Sequence, residues 1–160
     1  MAGWLIDDEA RLRTLREFGI LDTDSEIAFD GIVAAAAAAC DTPVALVTML
    51  DRDRQWFKAH MGTDIAETSI DNAICVHTLA HGGPLAIDDL STDPRTATNP
   101  LVTDDPRVRF YAGVPLVSRG QAIGTLCVLD VAPRPGGLDQ SQWRALDALA
   151  QDVMKLVEAR

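Results

Sequence analysis

The sequence is poor in aromatic residues, at 5% of its 160 positions. Alanine and branched aliphatic side chains must therefore fill its core. Basic residues are also in short supply: 14 Lys and Arg face 24 Asp and Glu, a formal net charge of -10. No basic stripe interrupts that acidity, which disfavours phosphate backbones and anionic membrane surfaces; nucleic acid and membrane are excluded as expected partners. There are three cysteines, Cys40, Cys75 and Cys127, an odd number with no CxxC pair. Free thiols in a reducing cytoplasm are the expectation, with no leader segment recognised at Met1. The longest apolar run, residues 32–40, is mostly alanine and too short to cross a bilayer. P-loops, dinucleotide fingerprints, nucleophile elbows and zincin helices are all missing, so no catalytic or metal residue is assigned.

What is present is the material of one domain, since apolar residues make up 48% and charged residues 24%. Residues 7–18 read as an amphipathic helix carrying Leu12, Leu15 and Phe18, stopped near Gly19. A second helix, capped by Asp24 or Ser25, runs to Cys40 with Phe29, Val33, Ala36, Ala37 and Cys40 on one stripe. Residues 44–50 form an apolar run suited to a central strand, and residues 51–54 a polar turn. Residues 55–61 return as the partner strand. Strict alternation puts Trp56, Lys58 and His60 on one face and Phe57, Ala59 and Met61 on the other.

A helix is expected over 71–81 and a short strand over 85–88. A long irregular segment follows over 90–106, of a length that is usually functional or mobile. Strands at 108–117 and 122–130 make a second hairpin, and a Pro/Gly-rich linker leads to a last helix over 139–159. Two hairpins give an α+β fold: a central antiparallel sheet with the terminal helices on one face, and a cavity under the mid-chain helix and loop on the other. In the last helix, Leu146, Leu149, Val153 and Leu156 follow a 3-4-3 seam that suits either core packing or a homodimer.

Each candidate site residue has a structural and a functional reading. Cys75 and His77, two apart on a helix, point roughly 200° away from each other and form no catalytic pair there. Cys75 and Cys127 are then packed thiols or the lining of a pocket. Trp56 beside Lys58 suits an anionic or aromatic ligand, or an outer face with a snorkelling lysine. Asp88 is a turn former or a ligand acceptor. Tyr111, ahead of Gly113, is core or cavity wall.

The ordered blocks from 11–12 through 19–23, then 28–30, 42–47, 51–58, 75–77, 93–95, 99–102, 109–116 and 124–130 resemble those of GAF domains from bacterial signalling proteins, over about residues 10–158. That resemblance implies a GAF/PAS-like sheet and a sensory or regulatory role without catalysis. It also implies dimerisation through terminal helices, and a small-molecule pocket expected to use Trp56, Lys58, Cys75, Asp88, Tyr111 and Cys127. No cofactor is indicated. With no output module after Arg160, a partner such as a kinase or cyclase is expected to carry the signal. The cyclic-nucleotide motif of phosphodiesterase GAF domains is not found. Val76, between Cys75 and His77, departs from the Cys-His pair of bilin attachment. The catalytic branch of the family, free methionine sulfoxide reductases, works with cysteines close enough to form disulfides. The sequence distance from Cys75 to Cys127 argues against that arrangement. A thiol reductase and a ligand-free interaction module stand as the alternatives.

Overall fold

The computed structural model describes residues 5–160. Six strands form one antiparallel sheet: β1 (Val44–Leu50), β2 (Arg54–Met61), β3 (Glu67–Ser69), β4 (Leu85–Ile87), β5 (Phe110–Ser118) and β6 (Gln121–Asp130). Their order across the sheet is β3-β2-β1-β6-β5-β4. The apolar runs of β1 and β6 take its centre, where both faces are covered. Edge strand β3, polar and three residues long, was not visible to hydrophobic periodicity.

Helices α1 (Glu9–Glu17), α2 (Ile27–Cys40) and α5 (Gln140–Glu158) occupy the sequence positions expected of them, each trimmed by a residue or more. A capping box between Asp139 and Gln142 starts α5. Helices α2 and α5 cover one face of the sheet. Phe29, Val33 and Ala36 meet Leu146, Ala150, Val153 and Val157 there, over Met49, Val114 and Leu126. The inward stripe of α5 thus includes Leu146 and Val153, while Leu149 and Leu156 of the seam lie half-buried at its flank. Arg11 of α1 is buried and closes one end of the sheet. It donates to the Leu50 carbonyl at 2.7 Å and to the Ile6 carbonyl at 2.8 Å.

The second face carries a separate cluster around Leu46, Phe57, Ile74, Cys75, Leu79, Tyr111, Cys127 and Leu129. The helix expected over 71–81 is interrupted. Ser69 caps a single 3-10 turn (Ile70–Asn72), the chain extends at Ala73, and α3 (Cys75–His81) starts afresh before ending at Gly82 in the left-handed region. The long segment after β4 contains a four-residue helix, α4 (Pro100–Thr103), whose cap Asn99 accepts from the Leu101 N–H.

One irregularity decides which side chains reach which face. Thr48 pairs with Phe57 but Val47 pairs with Ala59, so Lys58 is an extra residue in β2. Such a bulge reverses alternation beyond it. Trp56 and Lys58 lie on the side of the terminal helices and Gln55 and Phe57 on the other, and beyond the bulge Ala59 joins Trp56 and Lys58 instead of Phe57. The strict alternation expected for this strand is corrected on that point.

Candidate functional site

Between the sheet and the α3–α4 side lies a cavity of about 300 Å³. Leu46, Phe57, Ile74, Leu101, Val108 and Leu129 form an apolar wall, and Tyr111, Cys75 and Cys127 close its inner end. Gly62, Thr63, Ile65, Pro106 and Val131 surround the more exposed end. Of the six side chains expected to line a pocket, the structure brings three together here: Cys75, Tyr111 and Cys127.

The other three are elsewhere. Trp56 is packed in the helix-side core. Lys58 has its ammonium fully buried on that same side, donating to Thr23 Oγ1 at 2.7 Å and to the Asp24 carbonyl at 2.5 Å, and pairing with Glu26 at 2.6 Å. Trp56 and Lys58 do share one face, but that face meets the terminal helices while the cavity lies on the face of Gln55 and Phe57, so Lys58 is a clamp on the α1–α2 linker rather than a ligand contact. Glu26 also pairs with Arg160 at 2.8 Å, so the clamp extends to the end of the chain. Asp88 accepts from the Gly136 N–H at 3.0 Å, and its carbonyl accepts from the Arg134 N–H at 2.9 Å. It fastens the Pro/Gly-rich linker to the end of β4, which is the structural reading of a loop aspartate.

The inner end of the cavity is a directed hydrogen-bond chain. Thr48 Oγ1 accepts the Thr125 backbone N–H at 3.1 Å and lies 2.9 Å from Thr125 Oγ1. Thr125 in turn donates to Cys75 Sγ at 3.1 Å, so the hydroxyl proton of Thr48 points to Thr125. Cys127 Sγ is 3.7 Å from Cys75 Sγ. Tyr111 and Thr78 share a hydrogen bond of 2.7 Å beside them. Burial pushes the Cys75 thiol up, but hydrogen bonds from Cys127, Thr125, Tyr111 and Thr48 outweigh it and hold Cys75 down at about 7. Burial and the neighbouring Cys75 push Cys127 and Tyr111 the opposite way, well above their ordinary values. The pair therefore divides into an acidic Cys75 and a Cys127 that keeps its proton. Sequence distance had argued against contact between these cysteines, and the fold corrects it: α3 and β6 are remote along the chain and adjacent in space.

Gly113 makes this packing possible. A Cβ there would sit 2.2 Å from the Tyr111 hydroxyl, so the tyrosine lies in space that only glycine leaves free. His77 is half-buried in a different surface depression with Ile6, Arg52 and Val76. Burial and the nearby Arg95 lower its basicity. It makes no pair with Cys75, as their helical spacing implied.

Gln55 was not singled out from the sequence. It lines the cavity beside Phe57, is 4% exposed, and donates through Nε2 to Thr68 Oγ1 at 3.3 Å. Its Oε1 is buried without a hydrogen-bond partner. Among the described residues, no group of three or more His, Cys, Asp or Glu is arranged to hold a metal ion, and no helix is long and apolar enough to cross a membrane.

The six-stranded antiparallel sheet, with helices on one face and a lined cavity on the other, is the mixed α/β class of fold seen in solved GAF domains. Within that class the chain belongs to the GAF family: the GAF domain profile matches residues 24–157. Over 149 residues it is 38% identical to a cyclic di-GMP phosphodiesterase of Pseudomonas aeruginosa, covering 92% of this chain and 25% of that protein. The chain thus spans about a quarter of that relative's length. Among solved structures, it is similar to the GAF domain of an Acinetobacter phosphoenolpyruvate-protein phosphotransferase (TM-score 0.68, 18% identity, 95% of each chain). It is also similar to the substrate complex of a free methionine-R-sulfoxide reductase from Neisseria meningitidis (TM-score 0.65, 18% identity, 93% of this chain and 87% of that one). At those identities the two structures establish the fold. The family and its signalling relative are those of a sensory or regulatory domain.

Proposed function

We propose that this GAF domain senses a small, largely apolar molecule that brings one hydrogen-bond donor to Gln55. The unpartnered Gln55 Oε1 in an apolar cavity carries the reading. A buried acceptor without a partner costs about 1–3 kcal/mol, and a donor on a bound ligand recovers that cost. Cavities of this size and polarity suit small ligands. Cys75, Tyr111 and Cys127 would meet the deeper end of the molecule. Binding would favour one arrangement of the sheet and its α3–α4 cover, and the terminal helices on the far face would transmit the change. The output belongs to another module: a kinase, a cyclase or, by analogy with the Pseudomonas relative, a phosphodiesterase. We place the domain in the cytoplasm and its dimer contact on the terminal helices.

The test is a thermal-shift screen of small phenols, indoles and amides against the protein, repeated on Leu129→Trp, which fills the cavity. A true ligand present at about 100 times its Kd adds about 2.7 kcal/mol to wild-type stability and nothing to the filled variant. Equal shifts in both proteins would refute binding at this site.

The contact between Cys75 and Cys127 favours a second reading, reduction of an oxidised small molecule such as free methionine sulfoxide, with Cys75 as nucleophile. Multiple turnovers with a dithiol reductant, abolished by Cys75→Ser, would establish it. Failure of turnover with the thiols intact would end it.

A further inference from the structure

The geometry points to Cys75 and Cys127 as a hydroperoxide-reactive thiol pair that closes to a reversible disulfide inside the cavity wall. This goes beyond ligand sensing and stands whether or not the cavity binds a metabolite. Three observations carry it. The two sulfurs are 3.7 Å apart, against an S–S bond of about 2.05 Å, so a modest movement of the start of α3 towards β6 joins them. Both line a cavity that admits molecules the size of water or hydrogen peroxide. The hydrogen bonding is unequal: the Thr125 hydroxyl, itself 2.9 Å from Thr48 Oγ1, donates to Cys75 Sγ at 3.1 Å, while Cys127 Sγ stands 3.7 Å away against Cys75. The short Thr125 hydroxyl bond to Cys75, which stabilises a thiolate there, assigns Cys75 as the attacking thiolate and Cys127 as the resolving thiol.

In the first step the Cys75 thiolate attacks the terminal oxygen of the hydroperoxide. An S–O bond forms, the O–O bond breaks, and the alkoxide leaves with the proton that Cys75 gave up, as an alcohol. Cys75 is then a sulfenic acid. In the second step Cys127 sulfur attacks the sulfenic sulfur and its proton joins the departing hydroxide as water. Two thiols have lost two electrons, and one hydroperoxide has become one alcohol and one water. The disulfide withdraws the anion to which Thr125 donates, breaking the chain that runs to Thr48 in the middle of the sheet. A dithiol restores the starting state.

Cys40 is an internal control. It is buried on the helix side, away from the cavity, and burial raises its thiol above the ordinary value. Treating the full chain with one equivalent of hydrogen peroxide near pH 7.5, then mapping peptides by mass spectrometry, tests the assignment. The expected result is a Cys75–Cys127 cross-linked peptide and an unmodified Cys40, with Cys75 oxidised more than about tenfold faster than Cys40. In Cys127→Ser the reaction stops at a dimedone-trappable sulfenic acid on Cys75. Three intact thiols in the wild type would overturn the proposal, as would oxidation of Cys40 at a comparable rate, or Cys75 passing to sulfinic acid without cross-linking. The wild-type map decides the matter even if the variant does not fold.

Discussion

Replacing Gln55 by methionine changes a polar cavity wall residue into an apolar one of similar volume. In the unliganded protein two effects oppose each other. The variant removes the unpartnered Oε1, whose burial costs about 1–3 kcal/mol. It also loses the 3.3 Å bond from Nε2 to Thr68, which at that length belongs near the lower end of the usual range of about 0.5–1.5 kcal/mol. Thr68 itself is half-exposed, so water replaces its lost partner. The balance makes the ligand-free variant more stable than the wild type by about 1 kcal/mol. For a chain of 160 residues that raises Tm by about 2–4 °C. Urea denaturation followed by tryptophan fluorescence and a calorimetric scan would measure it, and both should agree in sign. A ligand found for the wild type should lose its donor contact in the variant, so that stabilisation of the empty domain and weakening of the complex appear together. A ligand-free variant less stable by more than about 1 kcal/mol would refute the reasoning, because Gln55 would then have a satisfied structural role.

Gly113→Ala forces a Cβ against the Tyr111 hydroxyl at 2.2 Å and should cost about 2–4 kcal/mol in a denaturation experiment; a loss below 1 kcal/mol would show that the ring has room to move. Lys58→Met removes the donor shared by Thr23, Asp24 and Glu26 and should cost about 1–3 kcal/mol, with faster amide exchange in residues 20–26 and little change at the cavity. The pH dependence has a definite sign: Cys75 titrates at about 7 in the fold against an ordinary 9.0, so its contribution to stability is full above 9.0 and lost as pH falls through 7. Cys75→Ser should flatten that rise in a series of denaturation curves between those values, and an unchanged slope would contradict the acidic assignment.

The sheet was legible because its central strands are apolar runs, as in β1, and because turn residues separate β5 from β6. The last helix was legible from Asp139 and the recurrence of Leu146, Ala150 and Val153. The site was half legible. Cys75, Tyr111 and Cys127 reach the cavity as expected, and alternation from Cys127 also leads to Thr125 on the same side. Trp56 and Lys58 were misplaced because alternation puts them on one face without saying which face meets the cavity, and Ala59 because a bulge carries no hydrophobic signature: one extra residue in a hairpin changes register without changing composition. Asp88 was ambiguous because the same carboxylate serves a ligand or a glycine N–H equally well. The Cys75–Cys127 contact lay beyond sequence reasoning because it depends on how α3 is laid across β6, a tertiary fact with no local period. Gln55 and edge strand β3 were missed together, both being polar features of a hairpin read mainly by its apolar residues.

The extra residue in β2 has a consequence for insertions and deletions. With Lys58 removed, Phe57 would still oppose Thr48 and Ala59 would still oppose Val47, and the strand would alternate perfectly from end to end. Gln55 and Phe57 would keep their places in the cavity, and Trp56 and Ala59 theirs in the core. Only the tether from the sheet to the α1–α2 linker, and through Glu26 to Arg160, would go. A single codon thus separates the chamber from its attachment to the chain ends. Its deletion is the smallest lesion that would leave the domain able to fill its cavity while silencing what the helices hear of it.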